Sequence, residues 1–272
     1  MARGTFGLYQ IWKDSFQEDD RYIDFFLQEG LPLGHLLTYG PAESPYASLS
    51  LFPISFVQNG TSYNGYYLYG LGTLLSKRGN GYGKLLVSKA ETYTLETGRH
   101  FILLQPTSPT LFDYYSKLGY SDRVLRSHFW CTRTLLSTSA CVQKLLNLSF
   151  PDTESHFSRF AWSGKMLGYI NKECLFSGGA IIDHAYCYPN IDAGGPFVEI
   201  KEFSTNRKEL MKLIPQLMAA FPDAERFLFF GKPQGKNAKI QQQSPFALVN
   251  FTNPVLKRNY SPESSYFALG LD

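Results

Sequence analysis

Residues 71–87 read LGTLLSKRGNGYGKLLV, and this stretch predicts a strand, a turn and the start of a helix. Three glycines stand at alternate positions in the turn: Gly79, Gly81 and Gly83. Three basic side chains flank them: Lys77, Arg78 and Lys84. Glycines let the backbone approach a ligand closely, and the free N–H groups of such a turn and of a first helical turn attract anions. The stretch therefore predicts a phosphate or pyrophosphate site.

Two common phosphate loops do not fit this turn. The dinucleotide fingerprint needs G-x-G-x-x-G, whereas the turn reads G-x-G-x-G. The P-loop needs a hydroxyl residue after its lysine, and Leu85 follows Lys84. The turn does match Arg-x-x-Gly-x-Gly, and this pattern resembles the acetyl-CoA pyrophosphate loop of the GNAT N-acetyltransferase superfamily. A tight strand-to-helix turn with basic residues on the surface is the alternative.

A second motif lies at residues 112–120, FDYYSKLGY. It resembles the GNAT signature Tyr-x-Lys-x-Gly-Phe, with Tyr115 in the first position and Tyr120 in the Phe position. The interval between the motifs leaves room for one helix and one strand, as that family requires. Two signatures in this order identify residues 1–135 as a GNAT-like domain with an acetyl-CoA site.

The apolar pattern gives the same element order. Two short helices are predicted within residues 8–28, strands at 32–37, 47–56 and 65–75, a helix at 83–97, a strand at 101–105, a helix at 109–118 and a strand from 120 to about 133. Strand, helix and strand around residues 65–105 form a right-handed parallel crossover. The expected fold class is α+β, a GNAT fold whose central, mostly antiparallel sheet is flanked by helices.

Residues 138–272 repeat this order without the glycine turn. Helices are predicted at 162–176 and 206–221, and strands at 180–188, 196–203, 226–230, 246–251 and 266–271. The order resembles a second, degenerate GNAT-like domain of a tandem protein. An unrelated α+β cap is the alternative.

Composition narrows the class of protein. The 272 residues have 44% hydrophobic side chains and a net charge of +3 without a long basic run, which argues against a general nucleic-acid binder. No C-x-x-C pair exists and the histidines do not cluster with the cysteines, so neither a metal site nor a disulfide framework is expected. No signal peptide or membrane span is visible, and we expect a soluble cytoplasmic protein whose oligomeric state stays open.

The resemblance implies roles for individual residues. The pantetheine arm of acetyl-CoA would pair with the backbone of Leu71, Gly72 and Thr73. The pyrophosphate would bind the N–H groups of the turn and first helical turn, with Arg78 at its start: Gly79, Asn80, Gly81, Tyr82, Gly83 and Lys84. Tyr115 would protonate the departing CoA thiolate, with Tyr114 as its competitor. A phenol suits this role because its pKa lies near 10.

The general base is missing from the pattern. Some members of the family have a glutamate where this chain has Tyr67, so Tyr67 or a chain of waters is the alternative base. Asp113 is expected to face solvent, and the carboxylate of Asp272 would reach the cleft only if the second half covers it. Strand alternation puts Tyr67 and Tyr69 on one face, where they line an aromatic substrate pocket or pack in the core.

These observations predict an N-acetyltransferase that moves an acetyl group from acetyl-CoA to a primary amine by direct attack. The amine belongs to a small molecule or a peptide. Two alternatives stay open: a non-catalytic protein that binds acyl-CoA or a partner, and an acyltransferase that uses a longer acyl-CoA.

Overall fold

The computed structural model describes residues 3–148, 158–203, 206–232, 242–267 and 269–271. Its helices are α1 Arg3–Phe16, α2 Asp20–Phe25, α3 Tyr82–Glu96, α4 Pro109–Ser116, α5 Ser139–Leu148, α6 Gly164–Phe176, α7 Arg207–Ala220 and α8 Pro254–Asn259. Its strands are β1 His35–Tyr39, β2 Ala47–Gln58, β3 Thr61–Thr73, β4 Phe101–Leu104, β5 Asp122–Thr132, β6 Ser158–Ala161, β7 Ala180–Ile182, β8 Ala185–Asp192, β9 Gly195–Lys201, β10 Arg226–Gly231, β11 Gln242–Phe251 and β12 Ser265–Tyr266.

These strands form one mixed sheet. Their order is β12-β6-β2-β3-β4-β11-β5-β10-β9-β8-β7, and β1 pairs with β2. Most neighbours are antiparallel, but β3 and β4 are parallel and are connected by α3. The expected fold class, a mixed α+β sheet flanked by helices with this crossover, is confirmed.

Side-chain alternation on β3 divides the core around it. Tyr66 and Leu68 pack in the cluster that holds Leu86 of α3 and Tyr115 of α4. Tyr67 lies in the opposite cluster. That second cluster also contains Trp12 of α1, Phe26 after α2 and Tyr169 of α6. The period of two therefore sends neighbouring tyrosines to different layers of the molecule.

The second half differs in detail from its predicted elements. The strand expected at 180–188 is the hairpin β7–β8, which turns at Asp183 and His184, both with positive φ (46° and 70°). Among the described residues of the strand expected at 266–271, only Tyr266 of β12 pairs with another strand. Beyond it the carbonyls of Leu269 and Leu271 accept hydrogen bonds from Trp162 and Tyr67, so side chains replace a strand partner. Helices α5 and α8 were not expected.

The two halves share the sheet through exchanged strands. β11 lies between β4 and β5, and β5 lies between β11 and β10. The parallel pair β9–β10, connected by α7, repeats the arrangement of β3, α3 and β4. The division into domains 1–135 and 138–272 stays a prediction, and the sheet is continuous across it.

Candidate functional site

The site begins where β3 and β4 separate. These parallel strands pair only at Tyr66–Ile102 and Tyr67–Leu103, and β4 ends one residue later. β3 continues along β2 to Thr73, with a register shift at Gly70, whose φ is +64°. Among the strands that the structure describes, none pairs with the other edge of residues 68–73. The opening exposes a backbone edge, as an extended ligand arm requires.

The predicted backbone positions are not equivalent. Thr73 N–H donates to Ser15 Oγ at 3.1 Å, and the Thr73 carbonyl accepts from Arg78 Nε at 3.3 Å. Gly72 lies beneath α1, since a Cβ there would come within 2.6 Å of Ile11 Cγ2. Leu71 is half-buried. Both polar backbone groups of Thr73 therefore have partners within the chain, and Gly72 pairs with Ser48 of β2.

The glycine turn has the backbone that the sequence predicts. Gly79 and Gly81 have φ values of 81° and 76°, in the left-handed region that favours glycine. A Cβ on either would meet no atom of the described chain within 4 Å, so the space above the turn is open. Gly81 is the N-cap of α3 without a side-chain cap, and the N–H groups of Tyr82, Gly83 and Lys84 have no acceptor in the helix itself. The turn presents donors to an open surface at the positive end of a helix dipole.

Arg78 connects this turn to the end of β3 and to α1. Its guanidinium donates to the Asp14 carbonyl at 2.5 Å as well as to Thr73. The Asp14 carboxylate accepts from Leu75 N–H at 2.8 Å, which lowers the pKa of Asp14. Asn80 Nδ2 donates to the Lys77 carbonyl at 3.0 Å. These hydrogen bonds connect the end of α1 to the turn. In this structure Arg78 therefore stabilises the conformation of the turn.

The two tyrosines of α4 occupy different environments. Tyr115 is 7% exposed, its ring centroid lies 5.9 Å from that of Tyr120, and burial raises its pKa. Tyr114 is half-buried, and its Oη lies 3.2 Å from where a Cβ on Gly83 would stand. Tyr114 therefore overlies the first turn of α3, while Tyr115 points into the layer between α4 and the sheet.

Of the two alternatives for Tyr67 and Tyr69, a substrate pocket or packed core, the structure shows packed core. Tyr67 is 1% exposed, its Oη donates to the Leu271 carbonyl at 3.4 Å, and its ring contacts Trp162 and Phe267. The hydroxyls of Tyr69 and Tyr22 lie 3.0 Å apart, and burial raises the pKa of both. Asp113 is exposed, as expected. Asp272 lies outside the described residues.

A cavity of about 590 Å³ opens at the end of β4 instead. Its lining combines the segment after β4, the start of α4 and the β5–β11 pair: Gln105, Pro106, Thr107, Ser108, Pro109, Phe112, Asp113, Arg123, Arg126, Pro245 and Phe246. The Arg126 guanidinium lies 3.8 Å from the Phe246 ring centroid and 3.5 Å from that of Phe230. Sequence reasoning missed Arg123 and Arg126 because β11, which closes the cavity beside them, comes from the other half of the chain.

In the described residues, no group of three or more His, Cys, Asp or Glu side chains is arranged to hold a metal ion. None of the described helices combines the length and the hydrophobicity needed to cross a bilayer.

Comparison with known proteins gives one family and several similar folds. Residues 6–122 match the sequence profile of the acetyltransferase (GNAT) domain. No curated protein matches the chain. The match includes the glycine turn and the α4 motif, so both signatures lie inside one recognised domain.

Three solved structures have the same fold. A probable N-acyltransferase from Enterococcus faecalis V583 superposes with a TM-score of 0.68 at 12% identity, over 93% of this chain and 71% of that one. A GCN5-related N-acetyltransferase from Kribbella flavida gives 0.60 at 12% identity, over 92% and 70%. Eis1 from Mycobacterium abscessus gives 0.58 at 11% identity, over 90% and 70%. At such identities the likeness shows the fold, and it extends over both halves of the chain.

Proposed function

From the match of residues 6–122 to the acetyltransferase (GNAT) domain, we propose that the chain moves an acetyl group from acetyl-CoA to a primary amine. The family match supports acyltransferase activity. The observation that carries the proposal is the open glycine turn at the uncapped start of α3, beside the gap between β3 and β4. A diphosphate with an extended arm fits this pair of features, since one binds anions and the other offers a free strand edge.

The reaction proceeds by direct attack in a ternary complex. The neutral amine nitrogen bonds to the thioester carbonyl carbon, the C–S bond breaks, and CoA leaves as a thiolate that takes up a proton. The nitrogen loses one proton to solvent or to a base. The cysteines are Cys131, Cys141, Cys174 and Cys187, all outside the two motifs, which supports transfer without a covalent acetyl-enzyme.

Tyr115 is our candidate for the proton donor to the thiolate. It stands at the matching position of the family motif, and burial raises its pKa, so it stays protonated at neutral pH. Tyr114 has its hydroxyl nearer the start of α3 and is the candidate for a contact with bound CoA.

The cavity at the end of β4 is the proposed acceptor site. Two guanidinium groups, Arg123 and Arg126, line it against one carboxylate, Asp113. This balance favours an acceptor that has an acidic group in addition to its amine.

The second half is proposed to be a degenerate copy of the same domain. Its support is the parallel crossover β9, α7 and β10, which repeats β3, α3 and β4, and the mutual placement of β5 and β11. The sequence between β9 and α7 has no glycine-rich turn, so donor binding is assigned to the first half alone.

The donor site is tested by the thermal shift that acetyl-CoA produces. Gly81→Glu puts a carboxylate where the pyrophosphate would bind, and we expect the rise in Tm on adding acetyl-CoA to disappear. Gly98→Glu is the matched control, because Gly98 also has positive φ (64°) and open space but lies beyond the other end of α3. An undiminished shift in Gly81→Glu would overturn the site assignment.

The reaction itself is tested with panels of amines and of acyl-CoA donors. CoA release and product mass should show acetylation of at least one amine. Firm CoA binding with no product from any amine would favour the non-catalytic alternative. Faster transfer from longer acyl-CoA donors would favour the alternative of an acyltransferase that uses a longer acyl-CoA.

The acceptor site is tested with pairs of amines that differ by one carboxylate. We expect the acidic member to have the lower KM, and Arg123→Gln to raise that KM by about tenfold while leaving CoA binding unchanged. Arg207→Gln, an exposed arginine at the start of α7, is the control of equal charge. No preference between paired amines would refute the assignment of acceptor class.

A further inference from the structure

Two buried thiols meet where β5 passes into α5. Cys131 Sγ and Cys141 Sγ lie 2.9 Å apart, and the residues are 5% and 4% exposed. A disulfide bond is about 2.05 Å long, so a shift of less than 1 Å would join the two sulfurs. Only nine residues separate them in the sequence.

The surroundings of the pair set which thiol reacts first. The two thiols share one S–H···S contact in which either sulfur can donate, and Lys144 lies one turn further along α5; this contact and this charge lower the pKa of Cys141. The same contact raises the pKa of Cys131. Cys141 is therefore the thiol with more thiolate character, which is the nucleophilic form.

The cysteine pair lies beside an exposed turn and at the start of a helix. Thr132, Thr134 and Leu135 of the connecting turn are exposed. Cys141 lies in the first turn of α5, where its N–H is held by the Thr138 side chain at 3.2 Å. Helix ends open locally at low cost, so a small reagent reaches the pair without unfolding of the domain.

The geometry leads us to propose that Cys131 and Cys141 form a reversible disulfide that fastens α5 to the end of β5. The oxidant is a small disulfide of the glutathione type. Cys141 thiolate attacks one of its sulfurs and releases one small thiol, and Cys131 thiolate then attacks the Cys141 sulfur and releases the second. The protein loses two electrons and two protons, and the oxidant becomes two thiols.

The location gives the crosslink a structural effect. β5 is the strand that the two halves share, and the chain leaves it through this turn and α5. Arg133 in the turn donates to three carbonyls at the end of α7: Met218, Phe221 and Ala224. A disulfide therefore restrains the junction of β5, α5 and α7.

The test uses the full chain, equilibrated in buffers that range from reduced to oxidised glutathione. Free thiols are then alkylated, and the protein is digested without reduction for mass spectrometry. We expect two of the four cysteines to become protected, one crosslinked peptide pair that contains Cys131 and Cys141, and a rise in Tm of about 5 °C that a reductant reverses.

The other two cysteines provide the control. Cys174 and Cys187 are equally buried, but their thiols donate to backbone carbonyls, Ala180 for Cys174 and Ala185 for Cys187. Cys174→Ser should keep the crosslink and the Tm shift, whereas Cys131→Ser should lose both. Four alkylated cysteines after oxidation, a crosslink between other cysteines, or glutathione adducts alone would overturn the proposal; the wild-type peptide map decides this without any variant.

Discussion

Single residues at this site make contacts that their sequence motif does not predict. The pattern Arg-x-x-Gly-x-Gly marks the turn correctly, and the positive φ values of Gly79 and Gly81 explain its glycines. The pattern cannot report that Arg78 reaches back to Asp14 and Thr73, because these partners depend on how α1 docks. Motif reasoning therefore finds the backbone conformation of the turn more readily than the contacts of its side chains.

Tyr115→Phe tests the proton donor. We expect kcat to fall about 100-fold with less than a twofold change in the Kd of CoA, since only the hydroxyl is removed. Burial raises the pKa of Tyr115, so the phenol is protonated at and below its ordinary pKa and loses its proton only at higher pH. The wild-type kcat should therefore show no alkaline decline due to Tyr115 up to about pH 10.

Tyr114→Phe is the comparison variant on the same helix. Its hydroxyl lies over the start of α3, so we expect a weaker CoA affinity and a smaller effect on kcat. The reverse result, with kcat lost in Tyr114→Phe and kept in Tyr115→Phe, would exchange the two roles.

At the scale of elements, local pattern predicted most helices and strands to within a few residues. The helix expected at 83–97 is α3, and the strand expected at 101–105 is β4. The local pattern could not predict which strands pair when they lie far apart in the sequence. The short apolar run of β11 indicates a strand, but nothing in its own residues says that its neighbours are β4 and β5.

The contact between α1 and β3 is tested by Gly72→Ala. The added methyl would lie 2.6 Å from Ile11 Cγ2 and 2.8 Å from Ser15 Oγ, so we expect a loss of about 2 kcal/mol in the free energy of unfolding. Urea denaturation measures it. Gly168→Ala, in the exposed face of α6 with no described atom within 4 Å, should instead add about 0.5–1 kcal/mol. Equal effects would mean that Gly72 tolerates a side chain.

The end of α7 is tested by Arg133→Met. The substitution removes donors to three carbonyls at 2.9–3.1 Å, and we expect a loss of about 2 kcal/mol in the free energy of unfolding. Arg133→Lys should recover only part of this stability, because a single ammonium group cannot reach all three carbonyls as the two guanidinium nitrogens do. The control is Arg258→Met, an exposed arginine in the last turn of α8, and a similar loss there would contradict the account.

At the scale of the whole molecule, the two halves complete one another's sheet. The motifs predicted the fold of the first half, but its strand β5 also pairs with β10, and β4 is covered by β11. The second half contributes Phe246, Ala247, Val249 and Phe251 to the core that contains Tyr67. The site depends on both halves, although its recognisable residues all lie in one.

A fragment of residues 1–135 tests this dependence. Without the second half, the fragment exposes the edges of β4 and β5 that pair with β11 and loses the apolar side chains of β11 and α6 that pack around Tyr67, so we expect no cooperative melting transition and no acetyl-CoA shift. Coexpression with residues 138–272 should restore both. A fragment that melts cooperatively and binds CoA alone would show that the first half is an independent domain.

The pairing of β5 with β11 also determines when the sheet can be completed during translation. The ribosome releases β4 and β5 long before it has made β11, the strand that belongs between them. At 5–20 residues per second, the intervening chain takes roughly 10 s to emerge. During this time the apolar strand Phe101–Leu104 has one uncovered edge in a nascent chain. The turn at residues 79–84 therefore gains a complete sheet behind it only near the end of translation, and the edge of β4 stays unpaired until then.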